Sequence, residues 1–473
     1  MTGSNVLVVM VDELQAAALS CAGHPLVKTP NIDSLAERGC RFTNAYTNSP
    51  ICVPSRASFA TGRYVHDIGY WDNAIAYDGR VASWGHLLQD KAIAPVSIGK
   101  LHYRNCEDDT GFTQQIRPLH IFDGIGQVWG SVRDPLPQQP HPARMIGGVG
   151  AGMSKYNRYD MAVGDDTADW LRAAPRADTP WMIFSSFVAP HFPLVVPQTY
   201  LDLYPLKEIE MPRLLPRAGY AQHPWLARME QFQPNDAEFA SDEERKLGIA
   251  SYYALCTFID AQVGKVLDAL RETGQESNTL VLFTSDHGEM LGTRGRWGKS
   301  TLYAESVRIP MILAGPGVAP GTTNATPVSL VDAAPTITET MGADTPDDWP
   351  GQSLVALSAM TDPTRRVFSE YHAVASPSAA YMLADARWKY HEYVGYPPEL
   401  FDLEADPEET TDLAPDPEHR AILRQMQDAL RQVCDPESVD RAAKTAQNDL
   451  INSFGGAQAA SRLGPMGASP VPS

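Results

Sequence analysis

No apolar run in this chain approaches the roughly 18 residues needed to cross a bilayer, so a helical membrane protein is excluded. A basic leader is missing too. Met1-Thr2-Gly3-Ser4 leads directly into Asn5 and the apolar run Val6–Val11, which reads as a strand and not as a secretion signal. Cysteine is sparse: Cys21, Cys40, Cys52, Cys106, Cys256 and Cys434 are scattered, with no CxxC pair, which predicts free thiols and a reducing, cytoplasmic setting. Positive charge is in deficit, 38 Lys and Arg against 57 Asp and Glu, for a net charge of −19. That argues against nucleic acid as a partner, and an anionic substrate must be drawn by a local cationic pocket.

What is present is ordinary for a folded enzyme. Hydrophobic residues make up 43% and charged residues 20%, which excludes wholesale disorder and collagen-like or coiled-coil designs. The 473 residues suffice for a large core without staples, as about three units or as one long α/β enzyme with additions.

Val6–Val11 and Thr279–Ser285 are apolar, β-branched runs that read as buried strands, each ending at an aspartate, Asp12 and Asp286. Ala94–Ile98, Trp181–Val188 and Ile309–Leu313 read as further strands. Thr29-Pro30 starts a helix that ends near Gly39, Val81–Gln89, Val163–Ala174 and Asp332–Met341 read as helices, and Ser241 with Glu244 opens a long helix to about Glu272. Residues 103–160 and 197–240 read as irregular. After about residue 360, Arg366–Glu370, Tyr381–Ala384 and Trp388–Tyr393 predict a small antiparallel sheet, followed by a helix near Glu418–Val433. Gly455–Ser473 is rich in Gly, Ala, Ser and Pro and reads as a flexible tail or an arm onto a partner. The expected class is α/β: a large, mostly parallel sheet between helices over 1–358, a smaller C-terminal antiparallel sheet plus helix over 359–440, and a tail or oligomerisation arm over 441–473.

In such sheets ligands bind beyond the carboxyl ends of the strands, so Asp12, His191 and Asp286-His287 are expected at one edge. Two carboxylates and an imidazole converging there suit a divalent metal, although Asp12 as a cap and Asp-His-Gly as a turn fit the residues equally. Glu13 is either a further ligand or surface. Cys52-Val53-Pro54-Ser55-Arg56 reads as a helix start ended by Gly62. Cys52 at that terminus, with Arg56 one turn on, predicts an anion site and a lowered thiol pKa; a buried, inert cysteine is the plain alternative.

Cys-x-Pro-Ser-Arg-Ala-Ser with Thr61-Gly62 resembles the signature of the formylglycine-dependent (type I) sulfatases of the alkaline-phosphatase-like superfamily. Further pieces follow in that family's order: Val11-Asp12, Gly99-Lys100-Leu101-His102, Pro190-His191-Phe192-Pro193, Ser285-Asp286-His287-Gly288-Glu289, the stretch Gly298-Lys299-Ser300-Thr301, and Leu400-Phe401-Asp402 with Asp406-Pro407. The resemblance spans roughly residues 5–435. It is nearest to the bacterial choline-sulfatase and phosphonate monoester hydrolase branches, which share the Asp-His pair at 286–287, where many members have Asp-Asn. Asp12-Glu13 stands where many have Asp-Asp.

The resemblance implies that Cys52 is oxidised to formylglycine by a separate formylglycine-generating enzyme, and that the hydrated aldehyde attacks sulfur. It implies Asp12, Asp286, His287 and the modified Cys52 as ligands of one divalent metal, with calcium first and manganese, magnesium or zinc as the alternatives. Arg56 would hold the diol, Lys100 and Lys299 would grip sulfate, His102 would take the diol proton, His191 would protonate the leaving alcohol, and Asn73 would join the substrate site. The implied activity is hydrolysis of a small organic sulfate ester by a homo-oligomer. A phosphonate monoester or phosphodiester hydrolase on the same scaffold and a non-catalytic binding protein are the competing readings; Lys100 and His102 favour sulfate. Trp71, Trp129, Tyr156 and Tyr159 read either as a cage for a quaternary ammonium or as plain core and loop aromatics. Val374 stands where an acidic partner for a cationic substrate is sought.

Overall fold

The computed structural model describes residues 4–174 and 180–471. Its centre is an eight-stranded sheet of β1 (Asn5–Asp12), β2 (Cys40–Phe42), β3 (Pro95–Lys100), β4 (Gln114–Leu119), β5 (Met182–Pro190), β6 (Thr279–Ser285), β7 (Met311–Ala314) and β8 (Thr322–Asn324). Across the sheet the order is β8-β2-β7-β6-β1-β5-β3-β4. Neighbours run parallel except β7, which is antiparallel to β6 and β2.

β1 lies in the middle and is buried along its whole length. Its alternating side chains feed two cores, as the strand period requires. Leu7, Val9 and Val11 pack with residues of α1 (Pro30–Glu37), α5 (Lys155–Ala173) and α6 (Asp242–Glu272). Val6, Val8 and Met10 pack on the other face with residues of α2 (Cys52–Thr61), α4 (Trp84–Asp90) and α7 (Ala333–Met341). A short α3 (Val65–Ile68) follows α2. The second unit is an antiparallel sheet of β9 (Val367–Tyr371), β10 (Ala380–Ala384), β11 (Trp388–Tyr393) and β12 (Glu399–Asp402), covered by α8 (Arg420–Val433).

Several boundaries differ from the sequence reading, for local reasons. α4 starts at Trp84, not Val81, because Ser83 caps it, its Oγ accepting from the Gly85 N–H at 3.1 Å. The long helix α6 does begin after Ser241, whose Oγ accepts from the Glu244 N–H. The stretch 103–160 contains the edge strand β4, whose polar, Pro-containing sequence QQIRPL hides it. The Pro-rich stretch 197–240 contains a helix at Pro224–Phe232, with its proline at the first position.

The C-terminal end is the largest correction. Pro436–Ser453 forms a further helix, α9, and residues 455–471 do not trail away. Ile451 and Ala460 are buried with Ala74, Val128 and Val132 of the same chain, and Phe454 and Leu463 pack half-buried beside them. The last two residues of the expected tail, 472–473, lie outside the described residues. Among the described residues no helix is long and apolar enough to cross a membrane.

Candidate active site

The carboxyl ends of β1, β3, β5 and β6 deliver Asp12, Lys100, His191 and Asp286 to one edge of the sheet, and α2 aims its N-terminus at the same point. Cys52 is the first residue of that helix, and Gly62, at φ 66°, ends it as the sequence predicts. Ser55 fixes the helix to the sheet, its Oγ donating to the Asp286 carbonyl at 2.7 Å. Ser285 ties the loop after β6, accepting from the Leu14 N–H and donating to the His287 carbonyl, each at 2.9 Å.

Cys52 Sγ lies 3.1 Å from His287 Nε2 and 3.7 Å from Asp12 Oδ1. Ligand atoms of Asp12, Cys52, Asp286 and His287 all fall within 4.8 Å of one another, and all four residues are buried. Asp12 Oδ2 is ion-paired with Lys100 Nζ, and Oδ1 faces Cys52 and His287. Two buried carboxylates, one imidazole nitrogen and a sulfur in so small a space fit a divalent cation, which would offset the cost of burying the negative charge. Glu13 belongs to a second grouping, with Asp12 and His191, and its Oε2 accepts from Lys299 Nζ at 2.8 Å. Burial pushes its carboxyl well above the usual range.

Cations surround the pocket floor. Arg56 donates through Nε to Asp286 Oδ2 at 2.7 Å and through Nη1 to the Lys100 carbonyl and Ser186 Oγ. Lys100 Nζ pairs with Asp12, beneath the cavity lining, and burial lowers its pKa to about 7. Lys299 Nζ touches His191 Nε2 at 2.7 Å. His102 reaches the cavity with neither ring nitrogen hydrogen-bonded, and burial holds it neutral, well below the usual imidazole range. Glu13 (φ 69°) and His102 (φ 54°) both sit just past strand ends in left-handed backbone, a strained conformation for such side chains.

The thiol corrects an expectation. Burial pushes the Cys52 thiol up to about 12, and the opposing pull of nearby Lys299 does not reverse this. His287 is lowered to about 3 by burial.

A cavity opens above this cluster, lined by Cys52, Asn73, His102, His191 and Lys299 among others. Asn73 Oδ1 accepts from the Val53 N–H at 3.2 Å, so the asparagine caps the start of α2 while facing the cavity. Of the four aromatic candidates only Tyr156 lines it. Trp71 packs on His372, Tyr159 donates to the Arg117 carbonyl, and Trp129 stacks on His141, so these three match the reading as core and loop aromatics and not the cage. Val374 does reach the lining.

The sequence reading missed Gln127, Gln233, Asn235 and Trp297 on the walls, and Gly467, Ala468 and Ser469 from the chain end. It also missed Asp160, which accepts from the Val188 and Ala189 N–H groups at 2.7 Å each and fixes the strand end before His191; burial raises its carboxyl to about 7. None of these lies in a recognisable motif.

A family model described as Sulfatase matches residues 4–343, and one described as N-sulphoglucosamine sulphohydrolase, C-terminal, matches residues 292–435. A choline-sulfatase of Rhizobium meliloti (strain 1021) is 31% identical over 462 residues, covering 94% of this chain and 89% of its own. An arylsulfatase K of Xenopus laevis is 29% identical over 441 residues, covering 87% and 79%. A phosphonate monoester hydrolase structure from Silicibacter pomeroyi superposes with TM-score 0.73 and 26% identity, covering 91% and 94%.

Proposed function

The chain belongs to the sulfatase family of sulfate-ester hydrolases, and from that premise we propose that it cleaves a small organic sulfate ester at sulfur, with residue 52 acting as formylglycine. The observation that carries this reading is the placement of Cys52 Sγ, which touches His287 Nε2 on one side and faces a cavity shared with His102, His191 and Lys299 on the other. That sulfur stands where a hydroxyl of the hydrated aldehyde would be.

A divalent cation held by Asp12, Asp286, His287 and residue 52 would supply positive charge that favours a deprotonated hydroxyl. The protein's own groups carry the remaining steps. Arg56 neutralises the carboxylate side of the cluster. Lys299, with Lys100 behind it, offsets charge on sulfate oxygens, a preorganised arrangement that strengthens as charge develops. The hydroxyl oxygen bonds to sulfur, the S–O bond to the alcohol breaks, and the departing oxygen takes a proton from the Lys299–His191 pair. The second hydroxyl then gives its proton to neutral His102. Its electrons re-form the C=O bond, and the C–O bond to sulfate breaks, releasing sulfate. A thiol has no second hydroxyl and stops after the first step.

The test is mass spectrometry of the Cys52 peptide from cells that make the maturation enzyme, paired with sulfate release and a phosphonate monoester control. Conversion at Cys52, with turnover of sulfate esters that disappears in Cys52→Ala, is expected. Full activity from a wholly unmodified thiol would sink the mechanism.

A further inference from the structure

The cavity is lined in part by the chain's own last described residues. After α9 the backbone returns across residues 127–145 and is tied down in register. Trp129 N–H donates to the Leu463 carbonyl at 3.2 Å and its indole N–H to the Pro465 carbonyl at 2.9 Å. Arg144 N–H donates to Met466, Gln127 Nε2 to Gly467, and the Tyr156 hydroxyl to Ser469. A Cβ on Gly464 (φ 95°) would fall 2.2 Å from the Gly126 carbonyl oxygen, so the two backbones are in direct contact and only glycine fits. This seating puts Gly467, Ala468 and Ser469 into the lining.

The lining offers no free negative charge. Among the described residues no carboxylate lines it, the Lys299 ammonium that faces the cavity is held by Glu13 Oε2 at 2.8 Å, and burial keeps His102 and His191 neutral. The acids beside lining residues are engaged elsewhere. Glu238 accepts from the Met145 and Ile146 N–H groups at 2.7 and 3.2 Å. Asp72 accepts from the Ala74 N–H, Ser131 Oγ and Gln447 Nε2. Two of the three lining aromatics are engaged by other groups, and the third, Tyr156, meets His191 edge-on at 6.3 Å. Lys299 Nζ lies 4.6 Å from the centroid of Phe192, and Phe239 packs on Trp297 at 4.2 Å. A cationic leaving group would give up its hydration here against walls that supply no counter-charge, which costs free energy that a neutral group does not lose.

We propose that the strap Gly464–Ser469 is a selectivity wall acting in cis, and that it sets this site for sulfate esters of compact, uncharged alcohols over cationic ones. The proposal rests on the sulfatase reading above and sets this chain apart from its choline-sulfatase relative.

The test compares choline sulfate with its carbon isostere, in which a quaternary carbon replaces the ammonium nitrogen, using full-length, matured, metal-loaded enzyme. The expected kcat/KM favours the neutral ester by about tenfold or more. Ala468→Glu places a carboxylate in the strap and should move the ratio toward choline sulfate by about tenfold. Ala468→Gln, equal in size and uncharged, should slow both esters alike. A wild type that prefers choline sulfate, or Glu and Gln variants that shift the ratio equally, would overturn the proposal. If converted enzyme releases sulfate from neither ester nor from nitrophenyl sulfate, the sulfatase reading itself fails, and the proposal falls with it.

Discussion

Lys299 donates its ammonium hydrogen to His191 Nε2 at 2.7 Å, because His191 Nδ1 is turned to the Phe192 carbonyl, also at 2.7 Å. Burial keeps His191 well below the usual imidazole range, so the ring is neutral and its cavity-facing nitrogen carries no proton of its own. Glu13 Oε2 holds the same ammonium at 2.8 Å. In the proposed mechanism the proton for the leaving alcohol would therefore come from a pair, not from the histidine alone.

His191→Ala should slow alkyl sulfate hydrolysis by roughly 10²–10⁴-fold, the range of general acid catalysis, and activated aryl sulfates far less. Lys299→Ala should behave similarly. Because the two act as a unit, the double variant should lose little beyond the worse single one. Rate against leaving-group pKa, measured for all four enzymes, checks this. Parallel lines would mean that His191 only shapes the pocket.

Asp286→Ala should destabilise the fold by about 3–5 kcal/mol, since it strips a buried Arg56 of its partner at 2.7 Å. The same change removes one donor from the cluster at Asp12, Cys52 and His287, so metal content should fall with it. Denaturant unfolding and elemental analysis of wild type and variant read the two effects separately. Unchanged metal stoichiometry would remove Asp286 from the ligand set.

Chelation of the wild type should abolish turnover and lower Tm together, because a ligand bound only to the folded state stabilises it by mass action. Re-addition of single divalent ions to the stripped enzyme, with Tm and rate followed in parallel, identifies the ion that restores both. Full activity after verified metal loss would contradict a metal at Asp12 and His287.

The catalytic floor was legible because its chemistry is written as short motifs at strand ends. Asp12, Lys100-x-His102, His191 and Asp286-His287 each follow an apolar run whose burial can be read locally, and the α/β rule then brings them to one edge. The walls were not legible. Gln127, Gln233 and Trp297 come from loops whose course is set by tertiary packing, and the strap was misread because small residues without periodicity look alike whether loose or seated. The thiol failed for another reason. The helix N-terminus at Cys52 was read correctly, but the enclosure of the sulfur is set by tertiary packing, and burial outweighs the pull of Lys299 and Arg56.

The helix α3 is joined to the antiparallel sheet by an ion pair whose pH dependence can be worked out. Glu370 on β9 accepts from the His66 N–H at 3.0 Å and faces His66 Nδ1 at 2.9 Å, while its other oxygen meets His372 Nε2 at 2.7 Å. Burial opposes the His66 imidazolium, but Glu370 and then Asp67 outweigh it and raise the pKa to about 9. Burial opposes the Glu370 carboxylate as well, yet His66 and His372 hold it down at about 2. A histidine whose folded pKa exceeds its unfolded value of 6.5 contributes stability in full below pH 6.5 and loses it as pH rises through 9. A glutamate depressed from 4.5 contributes above pH 4.5 and loses it as pH falls through 2. His66→Gln should therefore cost about 1–3 kcal/mol near pH 5.5 and progressively less above pH 7. Comparing wild type with variant at each pH cancels titrations elsewhere, such as that of Lys100. Urea midpoints from pH 5 to pH 10 provide the measurement, and a gap that stays constant across that range would show that His66 acts through packing and not through its charge.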